Sequence, residues 1–251
     1  MKAVSVCGYH HTGKTTVCES LIKGLKKQGF SVSSIKNIHN ENFTMEKPGS
    51  NSDRHNLAGA EPVFARGLNE TALVWRKQLE FYEMLNHLDT DWLIVEGMPD
   101  LALPRIICGK SEAEFNELID STVFAISGIY ADDHGTYKDL PVISANMDPG
   151  QLLELVLEKG FSIIPQVDPD CCSHCGMSCR EFVGAVIRGE RSRSECVSEN
   201  LGKVRIWIDD REMKLVPFVQ DITHDTIEAL LKNLKGYKKG KIRIEYNNSS
   251  D

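Results

Sequence analysis

Gly8-Tyr9-His10-His11-Thr12-Gly13-Lys14-Thr15 joins an apolar stretch, residues 3–7, to a helical pattern that puts Val17, Leu21, Ile22 and Leu25 on one face. Glycines at both ends of such a loop let successive main-chain N–H groups converge on phosphate oxygens, and the helix that follows adds the positive end of its dipole. An amine and a hydroxyl at the last two positions complete the chemistry: Lys14 neutralises β- and γ-phosphate charge, and the Thr15 hydroxyl ligates Mg2+. The pattern is G-x-x-x-x-G-K-[ST] between a strand and a helix, which is the context a P-loop requires. Gly8, His11, Thr12, Gly13, Lys14, Thr15 and Thr16 form the candidate nucleotide-binding set, with Lys14 as a candidate catalytic residue.

An acid also belongs with this loop. Residues 92–95 are continuously apolar, as in a parallel strand covered on both faces, and Asp91 and Glu96 flank them. Five strand residues span roughly 16 Å, so the two carboxylates lie at opposite ends of the sheet. The phosphate loop also follows a strand's carboxyl end, which makes Glu96 the acid near Mg2+ or its water shell and, with Lys14, a candidate catalytic residue. Asp91 is expected to be a strand-entry or surface residue. Residues 31–36 read as another strand, followed by a long polar loop where an open α/β sheet binds ligands. Lys36, Lys47, Asp53, Arg54 and His55, with His39, are placed there to reach a phosphate or substrate; the other reading is a solvated loop whose charges do nothing. Asn146 and Asp148 follow a late strand and either contact a base or, for Asp148, cap the next helix. No N-K-x-D motif is present, so guanine preference does not follow from these residues.

The third group is sulfur. Of eight cysteines, Cys7, Cys18 and Cys108 are scattered and read as core or surface thiols, whereas Cys171, Cys172, Cys175, Cys179 and Cys196 crowd together. From Cys172 the spacing is C-x2-C-x3-C-x16-C. Three thiolates on a tight loop and a fourth on a returning segment can surround a compact centre, and thiolates select iron-sulfur clusters or zinc. Cys172, Cys175, Cys179 and Cys196 are the candidate ligands, for a 4Fe-4S cluster with zinc as the alternative.

The elements that must position these groups alternate between strand and helix. Strands are expected at 62–65, 71–75, 121–127 and 140–146, with another just after residue 104; helices are expected at 78–88, 112–118 and 148–159, the last closed by Gly160. Such alternation predicts an α/β protein with a doubly wound, mostly parallel sheet of P-loop NTPase type. A small cysteine-rich metal module and a small β-β-α-β subdomain follow. The divisions fall at 1–166, 167–202 and 203–246, with 247–251 a disordered tail. In the last subdomain the strands are expected at 204–208, 214–219 and 241–246 and the helix at 222–234. Lys232, Lys235, Lys238, Lys239 and Lys241 make either a solvated face or a docking patch for an acidic partner.

Length and composition fit this plan: 251 residues, 41% hydrophobic and 26% charged, are those of a soluble globular protein with a sizeable core. A formal charge of −7 argues against a nucleic-acid partner and for a small nucleotide. No apolar run approaches the length of a membrane span. With strand and loop beginning at once, no signal peptide is expected and the cytoplasm is the expected location.

Gly8 to Thr15, IKNIH, EKPGSNSDRH followed by LAGAE, LIVEG and LPRI, in that order and spacing, resemble the MobB family of molybdopterin-guanine dinucleotide biosynthesis adaptors over about the first 165 residues. The resemblance implies a GTP-binding P-loop protein with weak GTPase activity, often a homodimer, that assists the guanylyltransferase joining GMP to molybdopterin. It implies that Gly13, Lys14, Thr15 and Thr16 bind nucleotide and that the loop from Lys47 to His55 faces the site. Lys36-Asn37, where the family commonly has Lys-His, and the paired histidines inside the loop depart from its pattern. The cysteine segment resembles the small 4Fe-4S module of corrinoid iron-sulfur and electron-transfer proteins, with one residue fewer between its second and third cysteines. An alternative function is an iron-sulfur or metal-cofactor carrier, a scaffold NTPase whose nucleotide gates partner binding.

Overall fold

In a computed structural model of the chain, residues 1–132, 135–164, 175–196, 204, 206–208, 211–213, 217–238, 242 and 244 are described. They divide into two compact units, 1–163 with 180–193, and 164–179 with 194–251.

The first unit is built on β1 (Lys2–Gly8), α1 (Lys14–Lys27), β2 (Val32–Lys36), α2 (Asn51–Leu57), β3 (Val63–Arg66), β4 (Thr71–Val74), α3 (Phe81–Leu85), β5 (Trp92–Glu96), β6 (Arg105–Cys108), α4 (Glu112–Leu118) and β7 (Val123–Ser127). The short β8 (Thr136–Tyr137) and β9 (Leu140–Pro141), then α5 (Pro149–Lys159), β10 (Phe161–Ser162) and α6 (Cys179–Ile187) complete it, α6 from Arg180 onward. The sheet order is β2-β5-β1-β6-β7, all parallel, with β10 antiparallel to the start of β1. The parallel register sets Val6 against Glu96 and Lys36 against Glu96, so β1, β5 and β2 end together.

Burial follows the apolar runs. Ala3, Val4 and Val6 of β1, Trp92 to Val95 of β5, and Ile106 and Ile107 of β6 are buried, as a sheet covered on both faces requires. On α1 the inward residues are Val17, Cys18, Leu21 and Leu25; Ile22, expected inward, is half-buried, and Cys18 takes the place beside Val17. Asp91 ties two strand starts together, its Oδ2 accepting from the Ser31 N–H and hydroxyl at 2.7 Å each. Those bonds, the hydroxyl's first, hold its carboxyl below the usual range.

Four expectations are corrected. Residues 51–57, read as loop, form α2, whose Ser50 cap accepts from Asp53 N–H at 3.2 Å. The helix expected at 78–88 is the single stretch Phe81–Leu85. The strand expected at 140–146 is only β9 plus one bridge from Val142 to Ile126. It stops because the Ser144 hydroxyl takes the N–H groups of Asn146 and Met147, both at 3.2 Å, and turns the chain into α5.

The fourth correction lies in the second unit. There β11 (Ile206–Ile208) and β12 (Arg211–Met213) form a hairpin, and α7 (Pro217–Leu231) begins where the second strand was expected to continue, with Pro217 at its first position. Most of the strand expected at 241–246 lies outside the described residues.

Candidate functional site

β1 ends in Gly8 and α1 begins at Lys14, so residues 9–13 must reverse the chain within one loop. Its conformation demands glycine. Gly13 has φ 89° and sits against the Gly128–Ile129 turn that follows β7, and a Cβ on it would lie 3.1 Å from Gly128 Cα. A Cβ on Gly8 would overlap the Cys108 carbonyl at the end of β6. Three further contacts fix the loop: buried Thr12 donates to the Tyr9 carbonyl at 2.9 Å, Ile129 N–H donates to the Thr12 carbonyl at 3.2 Å, and the Tyr9 hydroxyl donates to Glu117 of α4. The main-chain N–H groups of residues 10–16 make no hydrogen bond to the described residues. A row of unpaired donors leading into a helix is suited to an anion.

The side chains at its rim match the chemistry. Lys14 Nζ donates to the Tyr9 carbonyl, folded over the loop. Thr15 Oγ1 donates to Glu96, 3.0 Å from Oε1 and 3.2 Å from Oε2. Lys36 Nζ is 3.1 Å from Glu96 Oε1 and 3.3 Å from Thr15 Oγ1. The hydroxyl and the carboxylate are the hard oxygen donors that Mg2+ takes, so Thr15 and Glu96 fit that ion. Thr12 is buried inside the loop, and Thr16 lines a cleft of about 550 Å3 between α1 and α5, bordered also by Glu19, Lys23, Lys27, Asn146 and Leu153. His11 is exposed at φ 58°. Asp148 stands at the N-cap of α5, where its side chain makes no capping hydrogen bond.

The polar loop divides into two kinds of residue. Lys47, Arg54 and His55 are exposed. Asp53 is instead 7% exposed, accepts from Gly49 N–H at 2.8 Å and pairs with Arg76, so it shapes the loop. Lys36, grouped with these residues from sequence, stands at the end of a strand beside Glu96.

The described members of the sulfur group do not assemble. Among the described residues no three His, Cys, Asp or Glu side chains gather to hold a metal, Cys175, Cys179 and Cys196 included. Cys172, with Cys171, lies outside the described residues. Cys175 Sγ is 3.3 Å from the Met177 carbonyl, in a local turn. Burial pushes up the thiols of Cys7, Cys18 (to about 12) and Cys108, as expected of inert core sulfur.

One network was not anticipated. Arg105 of β6, 3% exposed, pairs with Asp120 at 3.0 Å and donates to the carbonyls of Pro99 at 2.5 Å and Leu101 at 3.2 Å. Asp120 also pairs with Arg180 of α6. The arginine thereby pins the crossover from β5 to β6, and only its position inside an apolar strand hinted at this.

A parallel sheet with an amide-lined glycine loop, a lysine, a hydroxyl and an acid at its carboxyl edge defines a P-loop α/β protein. The model of the family "MobB: Molybdopterin guanine dinucleotide synthesis protein B" matches residues 3–128. The chain belongs to the MobB family. A putative molybdopterin-guanine dinucleotide biosynthesis adapter protein of Methanocaldococcus jannaschii is 31% identical over 253 residues, covering 98% of this chain and 97% of that protein. The probable adapter protein of Bacillus subtilis is 25% identical over 150 residues, 58% of this chain and 86% of its own length. The crystal structure of Bacillus subtilis MobB superposes with a TM-score of 0.52 at 24% identity, over 62% of this chain and 96% of that one, and shares the fold. The archaeal match extends past residue 165, so the C-terminal part is common to both chains. No helix among the described residues is long and apolar enough to cross a membrane.

Proposed function

We propose that the chain is a GTP-binding adaptor of molybdopterin guanine dinucleotide synthesis that hydrolyses GTP slowly. Family membership and the names of its relatives support the pathway. The observation that carries nucleotide binding is the row of uncommitted amides at residues 10–16 beside the Thr15–Glu96 pair.

In this reading Gly13 to Thr16 enclose the β-phosphate with main-chain N–H groups, and Lys14 leaves the Tyr9 carbonyl for the β- and γ-phosphate oxygens. Thr15 and Glu96 are the residues that would hold Mg2+. That ion, where bound, neutralises phosphate charge and fixes the geometry of the triphosphate. Glu96 orients the water that attacks. Arg54, exposed on α2, is the candidate for transition-state charge, and turnover stays slow without a partner that presents an arginine. Lys47, Arg54 and His55 face a molybdopterin-bearing partner or the guanylyltransferase, and the working assembly is a homodimer. The spacing of Cys172, Cys175, Cys179 and Cys196 supports a 4Fe-4S cluster, but the three that are described do not fit one, and the module contributes no step here.

Lys14→Ala tests the site: titration with a fluescent GTP analogue is expected to show binding lost while the circular dichroism spectrum is kept. Unchanged affinity refutes the assignment. An ATP analogue run alongside reads the base preference, and co-purification reads the partner.

A further inference from the structure

Thr15 and Glu96, the two side chains offered to magnesium, are both already held by one ammonium group. Lys36 Nζ lies 3.1 Å from Glu96 Oε1 and 3.3 Å from Thr15 Oγ1, and Thr15 Oγ1 closes the triangle on the carboxylate at 3.0 Å. This contact is set by the sheet: Lys36 and Glu96 are register partners at the ends of adjacent parallel strands. The Glu96 side chain is 12% exposed and the Lys36 side chain 53%, so the carboxylate is fixed while the lysine can leave into water at small cost. Lys14, the other cation of the site, is turned toward the Tyr9 carbonyl.

Charge decides what this arrangement does. With Lys36 in place the Glu96 cluster is neutral, so it has little attraction for a free divalent cation. A magnesium–triphosphate complex arrives with net negative charge, which gives the displaced ammonium a new partner in the terminal phosphate. We propose that Lys36 is a built-in stand-in for the divalent cation. It occupies the metal's oxygen donors in the nucleotide-free protein, suppresses metal binding there, and moves to the terminal phosphate when metal and nucleotide enter together. This rests on residues 8–16 being a nucleotide site and deepens that reading.

The test compares full-length wild type, Lys36→Met and Lys36→Arg. Mn2+ binding to the nucleotide-free chains is read by the electron paramagnetic resonance signal of free Mn2+. Lys36→Met is expected to bind Mn2+ about tenfold or more tighter than wild type, and Lys36→Arg, which keeps the charge, to stay within about threefold. A non-hydrolysable GTP analogue with Mg2+ is expected to bind Lys36→Met about tenfold more weakly. Equal Mn2+ affinity in wild type and Lys36→Met overturns the proposal, and Lys36→Gln repeats the comparison if the methionine variant does not fold. The two readings fail separately. A wild type that binds no GTP analogue sinks the nucleotide site, whereas a wild type that binds it, beside a Lys36→Met that gains no Mn2+ affinity, sinks only the lysine's role.

Discussion

Gly128→Ala is the sharpest perturbation of the loop that leaves every loop residue unchanged. Gly128 has φ +83°, and a Cβ there would overlap the Thr12 carbonyl and come within 3.1 Å of Cys108 Cβ. The left-handed backbone costs an alanine about 1–2 kcal/mol, and forcing a methyl into packed surroundings costs about 1–3 kcal/mol more. The total of about 2–5 kcal/mol would lower Tm by about 4–20 °C for a unit of this size. Relief requires Thr12 to move, and with it the amides at residues 10–16, so nucleotide affinity should fall by about 10- to 100-fold. Gly59→Ala is the control: its φ is +101° but nothing lies within 4 Å, so it carries the backbone cost alone. Urea denaturation of both variants isolates the close approach as their difference, and titration with a fluorescent GTP analogue reads the loop. If Gly128→Ala matches Gly59→Ala in stability and wild type in affinity, the turn after β7 does not brace the loop and the argument is wrong.

Two other expectations follow from charge and burial. Burial works against the ionised form of Asp120, but hydrogen bonds from Thr122 and the Arg105 and Arg180 guanidiniums outweigh it, and its carboxyl is held below the usual range. With a depressed folded-state pKa the unfolded chain binds more protons in that window, so this contribution is complete above about pH 4 and is lost as pH falls through the folded value. Asp120→Asn should therefore lower stability near neutrality and flatten the acid limb below about pH 4 in urea titrations; a limb parallel to wild type removes Asp120 from it. Cys7, Cys18 and Cys108 should resist iodoacetamide in the native protein at about pH 7.5 and react once urea unfolds it, read by mass spectrometry, and rapid native labelling of Cys18 contradicts its burial.

The elements that were legible carry two signals at once. β5 has a continuous apolar run ending in an acid and a glycine, and α4 has a serine cap followed by acidic residues in its first turn, so both fall where expected. α2 was hidden because NSDRHNL has no apolar periodicity; its one signal is the Ser50-x-x-Asp53 cap, and its stability comes from that cap and the Asp53–Arg76 pair. The strand at 140–146 was over-extended because Leu-Pro-Val-Ile reads as sheet, while the turn is made by the Ser144 side chain, which hydropathy does not weigh. In the site, the loop and Glu96 were legible from spacing. Lys36 beside Glu96 needed the sheet order, because their separation in sequence says nothing about which strands are neighbours. Gly128 was invisible for the same reason: its constraint is the approach of Thr12, 116 positions away along the chain.

β1 lies in the middle of the sheet, yet it comes before every other strand of that sheet in sequence. Its Lys2 pairs with Trp92 and its Gly8 with Cys108, so both edges stay open until those residues have left the ribosome. At about 5–20 residues per second, the wait for some 90 residues lasts about 5–18 s. For that interval β1 has neither of its parallel partners. A phosphate pocket at its end can therefore take shape no earlier than the emergence of β5 and then β6, after nearly half of the chain has been made.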